Sequence, residues 1–196
     1  MPIIIDKEQK KRDIALACKD LLVQGSIQEI TVSQIAKTAG IGKGTFYEYF
    51  KDKDELVFEL VNLLKHAHNQ KKEKKLASIE RTRDKIKLFY EFFYSKETQD
   101  LRTLYKEFVA IALLAPREEM IDFQTECFQF YYGWVEKIIG EGIDRGEILP
   151  AARELIKGMY TMGEGMFVAS LATKGMIDIR RDINAYVDKI FDLVEI

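Results

Sequence analysis

The sequence of 196 residues has little proline and cysteine. Its three prolines, Pro2, Pro116 and Pro150, leave long stretches free of helix breakers, which favours an all-α chain. Its two cysteines, Cys18 and Cys127, lie far apart in apolar contexts. We therefore expect two buried reduced thiols and no disulfide framework, with a redox switch as the alternative.

Targeting and membrane-spanning patterns are also missing. The apolar residues Ile3, Ile4 and Ile5 are followed at once by charged residues, which makes the stretch too short for a signal peptide. No apolar run approaches the roughly 20 residues that a bilayer-spanning helix needs. We expect a cytoplasmic protein with no membrane partner.

The common signatures of catalytic sites are absent as well. The chain has no glycine-rich phosphate loop and no nucleophile elbow. His66 and His68 are two positions apart, so they would not share one face of a helix. No glutamate stands three residues before either histidine, as a di-iron carboxylate site would require. We expect no enzyme, no metal site and no cofactor.

Charge is distributed unevenly along the chain. The formal net charge is −2, and hydrophobic residues make up 47% of the sequence, which predicts a folded protein. Residues 1–53 carry nine Lys and Arg against seven Asp and Glu, a net of +2, so the remainder is acidic. A non-specific DNA binder would need a stronger positive charge than this.

Hydrophobic spacing predicts about nine helices and no strands. Thr31 and Gln34 have the spacing of a capping box, and Gly140, Gly142 and Gly146 are expected to end the longest apolar helix. The predicted helices cover approximately residues 7–24, 31–39, 43–50, 52–75, 81–94, 99–115, 117–142, 150–174 and 179–194.

Two of these helices are short and are joined by a tight turn at Gly40. Two short helices with a glycine-containing turn, after a longer supporting helix, predict a helix-turn-helix. A major groove is about 12 Å wide and admits one α-helix, which the preceding helix holds at the required angle.

The segment 31–53 resembles the DNA-binding signature of the tetracycline-repressor (TetR) family, and it reads TVSQIAKTAGIGKGTFYEYFKDK. The resemblance covers about residues 7–60, and 141–148 is similar to the family's loop before its penultimate helix. It implies a three-helix helix-turn-helix domain over 1–53 and a helical ligand-binding and dimerisation domain over 54–196. It also implies a repressor that a small hydrophobic or aromatic ligand releases from double-stranded operator DNA. Activation, or regulation without a small-molecule effector, remains the alternative.

Within the motif, apolar residues such as Phe46 and Phe50 are expected to form the core, and the polar residues between them face outward. Lys43 can reach a base edge or a phosphate, and tyrosine hydroxyls can reach phosphates. Glu48 either accepts a hydrogen bond from a cytosine amine or is turned away from the DNA, since phosphates repel it. The DNA-binding candidates are Thr31, Lys43, Gly44, Thr45, Tyr47, Tyr49 and Lys53.

Aromatic and sulfur-containing side chains are concentrated in the C-terminal two-thirds. Core packing explains each one taken singly, whereas the resemblance implies that some line a ligand cavity. Glu164 lies within an apolar helix and needs a partner, water or a ligand. The ligand-binding candidates are His66, Phe89, Phe93, Tyr105, Phe108, Phe123, Cys127, Tyr131, Trp134, Met162 and Met166.

The last two helices are expected to form a four-helix bundle with their copies from a second chain. Their apolar faces are unfavourable in water, so a homodimer would cover them. The small residues Gly158, Gly163, Gly165 and Ala169 would let the helices approach closely, either across the dimer or within one chain.

Overall fold

The structure, a computed structural model, describes residues 6–114 and 117–196, so Pro2 and Pro116 lie outside the described residues. The predicted all-α class is confirmed, with ten α-helices in the described part where about nine were expected. Short 3-10 turns cover Lys96–Thr98 and Pro150–Leu155. The helices are α1 (Lys7–Ala17), α2 (Lys19–Gln24), α3 (Val32–Thr38), α4 (Lys43–Tyr49), α5 (Lys53–Ala77), α6 (Thr82–Phe93), α7 (Gln99–Leu114), α8 (Glu118–Asp144), α9 (Ile156–Ala172) and α10 (Ile179–Val194).

The additional helix arises because the predicted helix over 7–24 is divided at Cys18. The backbone of Cys18 leaves helical geometry, with φ −90° and ψ 1°, and it ends α1 and precedes α2. Its thiol is fully buried and lies 3.6 Å from the carbonyl oxygen of Ile35. Burial raises the pKa of the Cys18 thiol to about 11. Both cysteines are free and buried, as the sequence predicts.

The expectation that Gly140 and Gly142 end the long apolar helix is wrong. Helix α8 continues to Asp144 with Arg145 as its C-cap, and Gly146 follows with φ +70°, the left-handed conformation that glycine favours after a helix. A Cβ atom on Gly142 would lie only 2.3 Å from the Thr82 hydroxyl oxygen. Gly142 is therefore required by the close approach of α8 to α6.

The chain divides into two compact units. The first extends to Gln70 and includes the segment that begins at Glu97; the second comprises Lys71–Lys96 and Arg117–Ile196. Helix α5 begins in the first unit and ends in the second. The predicted functional boundary between residues 53 and 54 stays a prediction.

The second unit packs α6, α8, α9 and α10 around one apolar core. The Tyr90 hydroxyl donates to the carbonyl oxygen of Met159 at 2.7 Å, which ties α6 to α9. At the surface of this unit, Arg83 on α6 pairs with Asp188 and Asp192 on α10.

Candidate nucleic-acid interface and aromatic cluster

The start of α3 is fixed by its own sequence. The Thr31 hydroxyl accepts a hydrogen bond from the Gln34 amide at 3.3 Å, and the Gln34 side chain accepts from the Thr31 amide at 2.8 Å. The predicted capping box is therefore confirmed. It satisfies amides that would otherwise lack a partner at the helix start.

The turn from α3 to α4 is made by backbone hydrogen bonds. The Ile41 amide donates to the Ala36 carbonyl at 2.9 Å, and the Gly40 amide donates to the Lys37 carbonyl at 3.2 Å. This pair is a Schellman motif, and it places Gly40 at φ +66°. The turn that precedes α4 therefore depends on backbone hydrogen bonds and on a glycine at positive φ.

Helix α4 has one buried face and one exposed face. Phe46 and Phe50 are buried, and their ring centroids are 5.4 Å apart. Because successive residues are rotated by about 100°, the side opposite these rings carries Gly44 and Glu48. We define the DNA-reading face as the exposed residues of α4, which are Lys43, Gly44, Tyr47 and Glu48.

Other DNA-binding candidates are at least partly engaged within the first unit. Lys53 is half-buried, and its Nζ donates to the carbonyl oxygens of Gln28 at 2.8 Å and Ile30 at 3.2 Å. Thr31 is exposed, but its hydroxyl serves the capping box. Thr45 and Tyr49 are half-buried on the flank of α4 away from Lys43. Their contacts with phosphate stay predictions.

The ligand-binding candidates divide between the two units. In the first unit His66 is exposed, whereas Phe108 is buried with its ring centroid 4.7 Å from that of Phe58 and 6.2 Å from that of Tyr105. In the second unit the ring centroids of Phe93 and Phe167 are 5.4 Å apart. The candidates in the second unit are Phe89, Phe93, Phe123, Cys127, Tyr131, Trp134, Met162 and Met166.

Three of these candidates form an aromatic cluster on α6 and α8, which we define as Phe89, Tyr131 and Trp134. The Phe89 ring centroid lies 6.2 Å from that of Tyr131 and 6.0 Å from that of Trp134, both edge to face. Tyr131 and Trp134 stack with an interplanar angle of 7°. The sequence predicted these rings as cavity lining, and the structure brings them together.

The cluster surrounds a residue that the sequence analysis missed. Lys72, on α5, is 6% exposed, and burial lowers its pKa to about 7. Its Nζ lies near the centroids of four rings, at 4.3 Å from Phe89, 5.0 Å from Tyr131, 5.3 Å from Trp134 and 5.9 Å from Phe92. We call these four rings the aromatic cage.

A run of lysines usually indicates a solvated end of a helix, and residues 71–75 were predicted to be the end of the helix that begins near residue 52. The available signal was the helical spacing of Lys72 and Leu76, which differ by four positions and therefore share a face. Leu76 is buried, so Lys72 is buried too, while Lys74 is exposed.

The variant Lys72→Met is expected to be more stable than the parent chain at about pH 6. A lysine of pKa 10.5 in the unfolded chain and about 7 in the folded one binds more protons when unfolded between those values. Its contribution to stability therefore rises with pH across this window, and its cost is complete below it. Replacement of buried ionised groups by apolar side chains of similar volume can stabilise a protein by about 1–4 kcal/mol, and we expect a gain in this range. Urea unfolding at pH 6 and at pH 10 measures this gain, which should fall at the higher pH. A destabilised variant at pH 6 would contradict the expectation.

The small residues of α9 that were expected to allow close helix approach differ in what surrounds them. A Cβ atom on Gly163 would lie 2.6 Å from Cε1 of Tyr90, so this glycine serves packing within the chain. A Cβ atom on Gly158 or Gly165 would meet open space in one chain. Glu164 is exposed and accepts from the Tyr160 hydroxyl at 3.4 Å. Dimerisation stays a prediction.

Within 6–114 and 117–196, no group of His, Cys, Asp and Glu side chains could hold a metal ion. No helix in this part of the chain combines the length and apolarity needed to cross a membrane.

Comparison with known proteins identifies relatives of the helix-turn-helix segment and of nearly the whole chain. Residues 14–60 match the model of bacterial regulatory proteins of the tetR family. The fatty acid metabolism regulator protein of Bacillus subtilis strain 168 is 24% identical over 196 residues, covering 96% of this chain and 95% of that protein. The motif that the resemblance rested on is thereby confirmed.

Solved structures share the whole fold. A transcriptional regulator from Saccharomonospora viridis in complex with choline has a TM-score of 0.77 at 15% identity, covering 96% of this chain and 100% of that chain. The fatty acid degradation regulator FadR from Bacillus halodurans has a TM-score of 0.65 at 18% identity, covering 94% and 93%.

Proposed function

Because the chain is a transcriptional regulator of the TetR family, with a helix-turn-helix for DNA, we propose that it is a repressor that a small hydrophobic molecule releases from its operator. The observation that carries the proposal is the DNA-reading face. Four exposed residues are held on a helix whose other side is locked by Phe46 and Phe50. Such a helix can enter a major groove without unfolding its support.

The proposal includes a homodimer. One short reading helix contacts only a few base pairs, so useful specificity needs two half-sites related by two-fold symmetry. Val168 and Leu171 on α9 and Leu193 on α10 are 43%, 47% and 74% exposed, which supports pairing through these two helices. We propose that this dimer acts in the cytoplasm.

The effector is proposed to bind in the helical domain. The aromatic cluster supports a ligand with a hydrophobic part, and one relative is a fatty acid metabolism regulator protein. Helix α5 belongs to both compact units, so a ligand that moves it can change the spacing of the two reading helices. For this mechanism the ligand must bind the two states with different affinity.

Operator selection followed by ligand challenge tests the proposal. Sites are selected from a random duplex library, and gel-shift titrations compare the selected site with random DNA at several salt concentrations. Repression predicts a palindromic site, and for each phosphate contact the slope of log affinity against log salt changes by about −0.9.

Octanoate and 4-phenylbutanoate are then added to the complex. If each ligand that binds the protein leaves operator affinity unchanged, release by ligand is wrong. If a reporter rises with intact protein and operator, the chain is an activator.

The variant Glu48→Gln is expected to relax the base preference at one position of each half-site. Glu48 is exposed on the side of α4 opposite the buried rings, one turn after Gly44, and we propose that this side faces the groove floor. A carboxylate there accepts from a cytosine amine, and loss of such a contact costs about 1–3 kcal/mol in discrimination.

Repeating the site selection with this variant measures the change. Because the charge lost was repelled by phosphates, affinity for random DNA should rise. Unchanged preference at every position would mean that Glu48 does not face a base.

A further inference from the structure

Lys72 is a buried amine, partly protonated at neutral pH, with no anionic partner in the part of the chain that the structure describes. Among the described residues, no carboxylate oxygen lies within 4 Å of its Nζ, and its close neighbours are the faces of the aromatic cage. Ring faces attract an ammonium, but they supply no hydrogen-bond acceptor of the strength of a carboxylate. A buried charge is normally paired, so Lys72 lacks a partner that a purely structural lysine would have.

The cage is already filled by the chain's own ammonium. Aromatic cages recognise quaternary ammonium ligands through the same attraction to ring faces that Lys72 uses. A cationic ligand would have to displace the lysine or lie beside it, where like charges repel. The site therefore disfavours a cation and favours a group that pairs with Nζ.

The rings around Lys72 continue toward solvent. Trp134 and Tyr131 are half-buried, and Phe130, whose ring centroid is 5.7 Å from that of Trp134, is 55% exposed. A ligand whose acidic end reaches Nζ would thus have aromatic surface for its apolar part. A single charge on Lys72 matches a single acidic group.

We propose that Lys72 is the recognition residue for a hydrophobic monocarboxylic acid, whose carboxylate pairs with Nζ while its hydrocarbon part packs on the aromatic cluster. This inference rests on the proposed function, in which the helical domain receives an effector, and it names the chemical class of that effector. No covalent step is involved.

The test uses the full chain without DNA, and the probes are octanoate, octan-1-ol and octyltrimethylammonium. The readout is direct because Trp134 is the sole tryptophan and belongs to the cage. Octanoate should change the Trp134 emission saturably, with a Kd at least about tenfold below those of the alcohol and the cation. Equal affinities, or no response to octanoate at millimolar concentration, would overturn the proposal.

Variants locate the interaction. Lys72→Met should bring octanoate and octan-1-ol to equal affinity, and Lys72→Arg should keep the preference for the acid. Lys74→Met removes the same charge from an exposed position of the same helix and should leave the preference intact. Circular dichroism confirms that each variant is folded. A preference that survives in folded Lys72→Met would exclude Lys72 as the recognition residue.

Failure of this proposal and failure of the proposed function give different results. If octanoate binds through Lys72 but operator affinity does not change, repression released by ligand is wrong and the acid site stands. If octan-1-ol releases the operator as well as octanoate does, the proposed function stands and the acid site is wrong.

Discussion

The double variant Lys43→Ala/Tyr47→Ala is expected to bind its selected operator at least about 100-fold more weakly than the parent chain, because contacts to bases and phosphates are each lost twice in a dimer. Both side chains are exposed on α4, four positions apart, and so lie on one flank of the helix. Loss of Lys43 from two half-sites should also make the salt dependence shallower by about 1.8, if each lysine neutralises one phosphate.

The matched control for this variant is Lys74→Ala, which removes an exposed lysine far along α5 from the reading helix. It should leave both affinity and salt slope unchanged. Gel-shift titration at four salt concentrations measures all three proteins. Retention of parental affinity by the folded double variant would show that α4 is not the reading helix.

Phe46→Ala is expected to destabilise the first unit by about 3–5 kcal/mol, the usual cost of removing a fully buried phenylalanine. The Phe46 side chain has no exposed surface and packs against the ring of Phe50. Alanine there leaves a cavity at the junction of α4 with its support. The loss of packing should also abolish operator binding, although the Phe46 side chain is buried and is not part of the DNA-reading face.

Tyr47→Ala is the control beside it in sequence, since Tyr47 is 53% exposed and its truncation opens no cavity. Its stability should remain within about 1 kcal/mol of the parent. Thermal and urea unfolding followed by circular dichroism compare the two. Equal stability of both variants would contradict the assignment of Phe46 to the core.

The helix-turn-helix was predictable because its determinants are local. Thr31 and Gln34 contact each other three positions apart. The turn at Gly40 is closed by hydrogen bonds between backbone groups that are close in sequence. The role of Gly142 was not predictable, because its constraint comes from Thr82, which is 60 positions away in sequence. From the spacing of glycines alone, Gly142 was predicted to end the helix.

Lys72 escaped the sequence analysis for a related reason. Lysine is rarely buried, and its four ring neighbours come from α6 and α8, so only the fold reveals them. The ligand-binding candidates other than His66 were chosen as aromatic or sulfur-containing residues, a criterion that cannot find a cation. His66 was predicted separately, as a polar group of the site, and it is exposed.

The turn between α3 and α4 depends on backbone hydrogen bonds and one glycine, and α4 is anchored through Phe46 and Phe50. Substitutions at Lys43 and Glu48 therefore leave the fold's supports in place. After a gene duplication, two copies could diverge at these outward positions and acquire separate promoters while remaining equally stable. New regulatory circuits can then evolve from this scaffold by very few mutations.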